Sequence, residues 1–476
     1  MALTTLLTVF ALLTFTGLVS CSKSQWSAVP SDLTLYFTCD TNGRLEPCGC
    51  FSGQHGGLTR LKTHLNYATA RDLILVDVGN AIEGPADYQI IKYDYIRKAY
   101  AQMRYSALNM GHREAQLPAR ELRKLKADSP VPMISANLID KESGQPLFDP
   151  YEIVEYHGHK IAFIGVLAPP ADPEALGDGL AVEPMETTLS KLLPQLKREA
   201  DIFVLLAFAD EAAMSKLAQE FYELDVILGG KVRQPSQSLV KENRSLILYT
   251  TNESKAVGVL KAELAGPDKL TPKNFDIVFL SEEIAQDRAL LAQTQAYRDE
   301  IRHARLDVDK VGEQGDRQGN AVPGIAPAAS YVGSEKCATC HASAYKTWEN
   351  TGHHRAFAAL AARGSDADPS CIACHTVGFG TPSGYQRAYA GKKLAGVGCE
   401  SCHGPGSEHV RQHQSGKEVL FKYRPLGAAD CVSCHYGEFS RPFDWETFWP
   451  KIKHGKEPKA PATTPATVTS THPSEG

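Results

Sequence analysis

The 476-residue chain has no excess of positive charge: 50 Lys and Arg stand against 55 Asp and Glu, a formal charge of −5. That balance argues against a general nucleic-acid binder, which needs clustered cations to displace counterions from phosphates. Beyond roughly residue 20 the chain also lacks any apolar run of about 18 residues, so no internal membrane span is expected. No long internal repeat is visible apart from a recurring Cys motif. Hydrophobic residues at 43% and charged residues at 22% are the proportions of a soluble globular protein, and the length suggests two or three domains. Cysteine, by contrast, is plentiful. There are 12, and eight fall between Cys337 and Cys434.

Residues 2–20 form an apolar stretch that ends in small residues and meets Cys21. It reads as a secretory signal peptide (residues 1–20), outside the fold. Leu18-Val19-Ser20-Cys21 resembles a bacterial lipoprotein signal, in which the Cys becomes the lipidated first residue. One departure is that no Lys or Arg precedes the apolar stretch. The alternative is an ordinary cleaved signal with Cys21 free or paired. Ser22 after the Cys points, by the same resemblance, to an outer-membrane anchor. Either route leads out of the cytoplasm, where thiols can be oxidised. The expected location is the periplasmic side, with membrane attachment only through the N-terminal lipid.

Residues 31–290 alternate short Val/Ile/Leu-rich runs with amphipathic stretches. Leu33–Phe37, Leu73–Val78, Val131–Ala136, Ile161–Val166, Ile202–Ala207 and Val226–Leu228 read as buried strands. Tyr88–Met103, Leu117–Lys126 and Glu211–Glu223 read as helices. The rhythm predicts an α/β layered domain. Residues 305–330 lack periodicity and read as a linker, residues 331–455 hold the Cys and His clusters, and the Pro/Thr-rich residues 456–476 read as a disordered tail. His157 and His159 flank Gly158 in what looks like an exposed hairpin turn.

The motif C-x-x-C-H occurs four times: Cys337-Ala-Thr-Cys340-His341, Cys371-Ile-Ala-Cys374-His375, Cys399-Glu-Ser-Cys402-His403 and Cys431-Val-Ser-Cys434-His435. This composition would give about 0.01 copies by chance. Two thiols add to the two haem vinyl groups, and the adjacent His then faces the iron as its proximal ligand. Zinc or disulfide chemistry has no need of a His after every pair. Four covalently bound haem c groups are therefore expected. So short a segment buries little core of its own, so the porphyrins must serve as core and pack closely. Second axial ligands must come from His353, His354, His409, His413 and His454.

Tyr331-Val-Gly-Ser-Glu-Lys-Cys337, with Trp348-Glu-Asn-Thr-Gly-His353-His354-Arg-Ala-Phe357, resembles the cytochrome c-554 family of tetrahaem proteins. So do Cys399-Glu-Ser-Cys402-His403-Gly-Pro-Gly-Ser-Glu-His409 and Trp449-Pro-Lys-Ile-Lys-His454-Gly. The resemblance covers about residues 331–455. It implies a mainly α, haem-packed domain in which His353, His409 and His454 are distal ligands, with His354 ranked behind His353. One haem is then left without a partner. His413 fills the gap if His409 and His413 share a helix face. Otherwise that iron has an open position, as one haem of the family does, and can bind small ligands.

Leu33-Thr-Leu-Tyr-Phe-Thr-Cys39-Asp40-Thr-Asn42-Gly43, Gly56-Gly57-Leu-Thr-Arg60, Asp77-Val-Gly79-Asn80, Gly111-His112-Arg113-Glu114, Ser135-Ala-Asn137 and Leu228-Gly229-Gly230-Lys231 resemble 5′-nucleotidases, which are calcineurin-like metallophosphatases. The resemblance implies a β-sandwich flanked by helices, with metals at strand ends. The metal ligands depart from the pattern. Asn42 stands where the family has His, Asn80 where it has the bridging Asp, and His112-Arg113 where it has Asn-His. The later His falls near Ala207-Phe208, and the final pair of His reads Lys231 and Arg233. Asp40 alone is kept. Ordinary two-metal phosphoesterase activity is therefore not expected. Lys231, Arg233, His112 and Arg113 form either an anion pocket or residues released from constraint.

Cys39, Cys48 and Cys50, with Asp40 and His55, lie beside that degenerate site. One reading is a disulfide plus a free thiol. The other is a second site, a thiolate-bound metal or a redox thiol. The favoured function is an electron-transferring cytochrome whose first domain docks or senses, working with other cytochromes or quinol-linked complexes. The rivals are an oxidoreductase acting on a small nitrogen or sulfur compound, and a metal-dependent hydrolase fused to a cytochrome.

Overall fold

The computed structural model describes residues 31–47, 54–68, 72–250, 254–265, 270–313, 329–387, 392–416, 426–435 and 443–455. Cys21, Cys48, Cys50 and the tail lie outside them. The first unit is built on two six-stranded sheets. One runs Leu270–Phe279, Ala256–Leu264, Ser31–Thr38, Leu73–Asp77, Ala107–Asn109, Met133–Ile134. The other runs Val240–Glu242, Ser245–Tyr249, Val226–Gly229, Ile202–Phe208, His159–Leu167, Tyr151–Tyr156. The central strands of both are parallel; the second sheet has antiparallel pairing at both edges, while the first is antiparallel at the Leu270–Phe279 edge and parallel at the Met133–Ile134 edge. Both faces are covered, so the strands read as continuous apolar runs.

The period of two decides which core each residue joins. Ile202, Val204, Leu206 and Phe208 face the core between the sheets, with Ile161, Phe163, Leu35 and Phe37. Phe203, Leu205 and Ala207 face the outer layer, where the helices Met185–Leu196 and Glu211–Glu220 pack. The expected sandwich is thus the fold. The strand expected over 131–136 shrinks to Met133–Ile134, because Pro132 cannot donate to a ladder. His157 and Gly158 both have positive φ, as the hairpin turn requires. His157 is exposed, whereas His159 already opens a strand and is half-buried.

Helix Arg288–His303, capped by Asp287 on the N–H groups of Ala289 and Leu290, packs on helix Asp87–Gln102. The stretch read as linker opens with a further helix, Asp307–Glu313. Beyond it, residues 329–455 contain short helices and no named strand among the described residues. Their buried apolar cluster is small, centred on Leu360, Ile372 and Tyr385.

Candidate haem-binding site and the strand-end crevice

The second, third and fourth attachment motifs each lie on or at the end of a short helix, Pro369–His375, Cys399–His403 and Ala428–Cys431. The first begins in Ser334–Ala338. One helical turn brings the two Cys of a motif to the same side, since residues three apart are neighbours. The His N–H of the first and fourth motifs closes on the carbonyl of the leading Cys, at 2.9 and 2.8 Å.

Contacts between thiols order the motifs in space. Cys337 lies beside Cys399, which joins the first motif to the third. Cys402 lies near Cys431 and Cys434, joining third to fourth. Cys434 lies beside Cys374, joining fourth to second. The file is therefore first, third, fourth, second.

Three proximal His rings face a second ring. The centroid distances are 6.1 Å for His341 and His409, 5.9 Å for His403 and His454, and 5.9 Å for His435 and His353. An iron held about 2 Å from each of two imidazole nitrogens would keep the ring centres about 6 Å apart. The residues fit haem c with bis-His ligation. Burial pushes the pKa of His353, His403, His409 and His435 down. For the first three, neighbouring imidazoles add to it. The neutral ring is the form that ligates a metal.

His375 is different: among the described residues no second ring is placed opposite it. Its Nδ1 bonds the carbonyl of Ala356 at 2.8 Å. That bond favours the tautomer with Nε2 directed to a metal. His413 sits on helix Ser407–Gln414 with its ring 4.5 Å from His409, on the same face as expected, yet beside His409 and not opposite His375. His354 is exposed, packs at a tilt against Trp348 with ring centroids 4.6 Å apart, and bonds the Glu349 carbonyl at 3.0 Å. Neither supplies the missing partner in this arrangement.

Sequence reasoning passed over Glu400, the first variable residue of the third motif. It is buried and accepts N–H bonds from Val332, Gly333 and Gly406, at 2.7–2.9 Å, tying three segments together. It also passed over Asp368. The Asp-Pro-Ser run before Cys371 carries a legible signal, an N-cap followed by Pro at the first helical position. Asp368 does cap that helix through the Ser370 N–H at 2.9 Å.

The second motif meets the first unit. Tyr297 donates its hydroxyl to Asp368 at 3.0 Å, Arg302 pairs with Asp366 at 2.9 Å, and Arg387 pairs with Asp309 at 2.8 Å. A cavity of about 880 Å³ lies between them. Arg44, Glu46, Glu83, Lys92, Tyr297 and Arg298 line it from one side, and His353, Cys371, Cys374, His375, Cys431, Cys434 and His435 from the other.

In the first unit the loops after the parallel strands bring Asp40, Asn80, His112 and Arg113 together, at the usual ligand position in such sheets. The loop scaffold is intact. Buried Glu114 accepts N–H bonds from Asn80, Ile82 and Gly111 at 2.9–3.0 Å. Asn109 Nδ2 reaches the carbonyls of Val78, Val166 and Leu206, each at 2.9 Å, and so joins the ends of both sheets. Gly79 has φ 126°, and a side chain there would strike the backbone of Gly111. The ligand positions themselves are tied to one another. Asn80 Nδ2 donates to Asp40 at 3.3 Å, and its Oδ1 accepts the Arg113 N–H at 2.9 Å. Arg113 Nε lies 4.0 Å from Asp40 and its Nη1 donates to the Glu83 carbonyl at 2.8 Å. His112 Nε2 bonds the Ala168 carbonyl at 2.7 Å, and burial, with the charge of Lys231, pushes its pKa down. Among the described residues no group of three or more His, Cys, Asp or Glu could hold a metal ion. Cys39 is buried and donates to the Gly79 carbonyl at 3.5 Å. Burial raises its pKa well above the usual thiol range, with the charges of Asp40, Asp77 and Glu114 adding to it. His55 is exposed and packs against Phe279. Cys48 and Cys50 lie outside the described residues.

The fold and the motifs together define a cytochrome c-like region joined to a metallophosphatase-like α/β region. Residues 336–404 match the family model for cytochrome c554 and c-prime, a span that begins just before Cys337 and holds the first three motifs in full. Over 113 residues the chain is 32% identical to the cytochrome c-554 of Nitrosomonas europaea, covering 21% of this chain and 48% of that protein. Over 260 residues it is 28% identical to the 5′-nucleotidase of Vibrio cholerae, covering 48% and 46%. The crystal structure of a 5′-nucleotidase precursor from Thermus thermophilus superposes with a TM-score of 0.50 at 21% identity, covering 57% of this chain and 59% of that one. The chain spans about half the length of the curated relatives it matches.

Proposed function

We propose that this protein is an exported tetrahaem c-type cytochrome that relays electrons. Three facing His pairs would hold haems from both sides, and Cys371, Cys374 and His375 would hold the fourth from one side, beside the phosphoesterase-like region. The three facing His pairs carry this reading, because a site built for iron relay places two neutral imidazoles on one axis. Haem c supplies reversible one-electron chemistry, with a potential set by axial ligands, hydrogen bonds and burial. The chain's own residues do the rest. Eight Cys fix the four positions, the proximal and distal His hold the axes, and the Ala356 carbonyl sets the tautomer of His375. The thiol contacts support a single file with the second motif at its end.

The first region docks a partner or senses a ligand. The Arg113–Asp40–Asn80 contacts fill the old metal position with an internal cation, which supports a role other than two-metal hydrolysis. Lipid attachment at Cys21 on the periplasmic side, with other cytochromes or quinol-linked complexes as partners, completes the proposal. Among the described residues no helix is long and apolar enough to cross a membrane.

The lone His375 favours a second reading, an oxidoreductase acting on a small nitrogen or sulfur compound at that position. Two measurements separate the readings. Pyridine haemochrome analysis with intact mass is expected to give four covalent haems per chain, and fewer contradicts the tetrahaem reading. The reduced protein is then mixed with nitrite, hydroxylamine or sulfite. The relay reading expects no catalytic turnover, and sustained turnover transfers the assignment to the enzyme.

A further inference from the structure

The first region does more than adjoin the end of the file. Lys92 is only 7% exposed. From helix Asp87–Gln102 it reaches Glu83 at 2.7 Å, Ser370 Oγ at 3.1 Å and Asp368 at 3.6 Å. Ser370 Oγ in turn donates to Glu83 at 3.2 Å. Tyr297, from helix Arg288–His303, holds the Asp368 oxygen that Lys92 approaches, while the other oxygen of Asp368 caps the helix of the second motif. Burial opposes a charge on Lys92, but Asp368 and Glu83 keep it protonated. One desolvated cation therefore lies between two carboxylates at the head of the helix that carries Cys371, Cys374 and His375. The same Glu83 takes the Arg113 hydrogen bond on its backbone carbonyl, so the cluster touches the strand-end loops as well.

We propose that Lys92 is a positioning and potential-setting residue for the haem of the second motif, supplied to it by the phosphoesterase-like region. The inference rests on the reading that this motif carries a haem. Loss of the cation leaves buried Asp368 and half-buried Glu83 with less positive charge beside them, at the head of the helix that would hold the haem. Negative charge in a low dielectric favours the ferric state, so the reduction potential of that haem falls. Among the described residues Lys92 makes no hydrogen bond or ion pair with the other three motifs, whose potentials stay unchanged.

The experiment uses the full-length holoprotein with Lys92→Met, Lys92→Arg and Tyr297→Phe. Haem content is counted first. Potentials are then taken by redox titration followed by absorbance and EPR. The expected result is four haems in each protein, one midpoint potential lowered in Lys92→Met, and a smaller fall of the same one in Tyr297→Phe. Lys92→Arg restores it. Unchanged potentials in both Lys92→Met and Tyr297→Phe mark the cluster as a mere seam and overturn the proposal. A common shift of all four also overturns it, since that marks general loosening. If Lys92→Met fails to fold, Tyr297→Phe alone decides. A missing haem in the wild type refutes the tetrahaem reading instead, and so is told apart from failure of this inference.

Discussion

Asp77→Asn isolates one buried carboxyl at the end of strand Leu73–Asp77. Asp77 is 0% exposed. It accepts from Thr38 Oγ1 at 2.6 Å, Tyr100 OH at 3.0 Å and the Gly79 N–H at 2.9 Å. Burial pushes its pKa from 3.8 up to about 7, and the charge of Glu114 adds to the rise. The folded protein then binds this proton more tightly than the unfolded chain does. Below the unfolded pKa both states are protonated, and above the folded pKa both are ionised. Between them unfolding releases a proton, so stability falls as pH rises, by ~1.4 kcal/mol per unit and by about 4 kcal/mol over the window. Asn carries no proton to lose. Its amide can donate to the two hydroxyls, because Thr38 can turn to Tyr105 at 2.9 Å and Tyr100 to Thr41 at 2.6 Å. The variant should therefore lose most of the slope between about pH 5 and about pH 7. Urea unfolding of holoprotein and variant, followed by far-UV circular dichroism across that range, reads it directly. Equal slopes in the two proteins would refute the reasoning.

Other outcomes follow from the same contacts. Replacing His409, His454 or His353 by Ala should each convert one low-spin haem to high spin, while His354→Ala and His413→Ala leave the low-spin count unchanged; EPR reads both. Glu400→Ala strands two buried N–H groups, those of Gly333 and Gly406, and the part-buried one of Val332, at roughly 1–3 kcal/mol each, and should lower the urea midpoint of the haem region, followed in the Soret band. Manganese or zinc added to the purified protein should give no turnover of p-nitrophenyl phosphate, and turnover would revive the hydrolase reading. Asn109→Ala frees three strand-end carbonyls and should destabilise the first region by about 2–4 kcal/mol, measured by denaturant unfolding.

The α/β rhythm of the first region was legible because buried parallel strands are short, apolar and separated by helices. Ile202–Phe208 is the clearest case. Ala256–Leu264 and Leu270–Phe279 were not read as strands, since edge pairing depends on partners far away in sequence, such as Ser31–Thr38. The four C-x-x-C-H motifs were legible because haem attachment would fix a local spacing. The facing His pairs were legible only through resemblance, for no local rule links His454 to His403. The Lys92–Asp368 contact joins residues far apart in the chain, and nothing near Lys92 announces it. The departures from the 5′-nucleotidase pattern around Asp40 could be seen residue by residue. That Arg113 lies 4.0 Å from Asp40 could not, because it depends on how two loops meet across Glu114.

The most direct test of the account is an EPR spectrum of the fully oxidised, purified protein. Three facing His pairs and one lone proximal His predict three low-spin ferric signals and one high-spin signal. The high-spin signal should survive in His413→Ala. Four low-spin signals would contradict the account, because His375 would then have a strong-field partner that this arrangement does not supply.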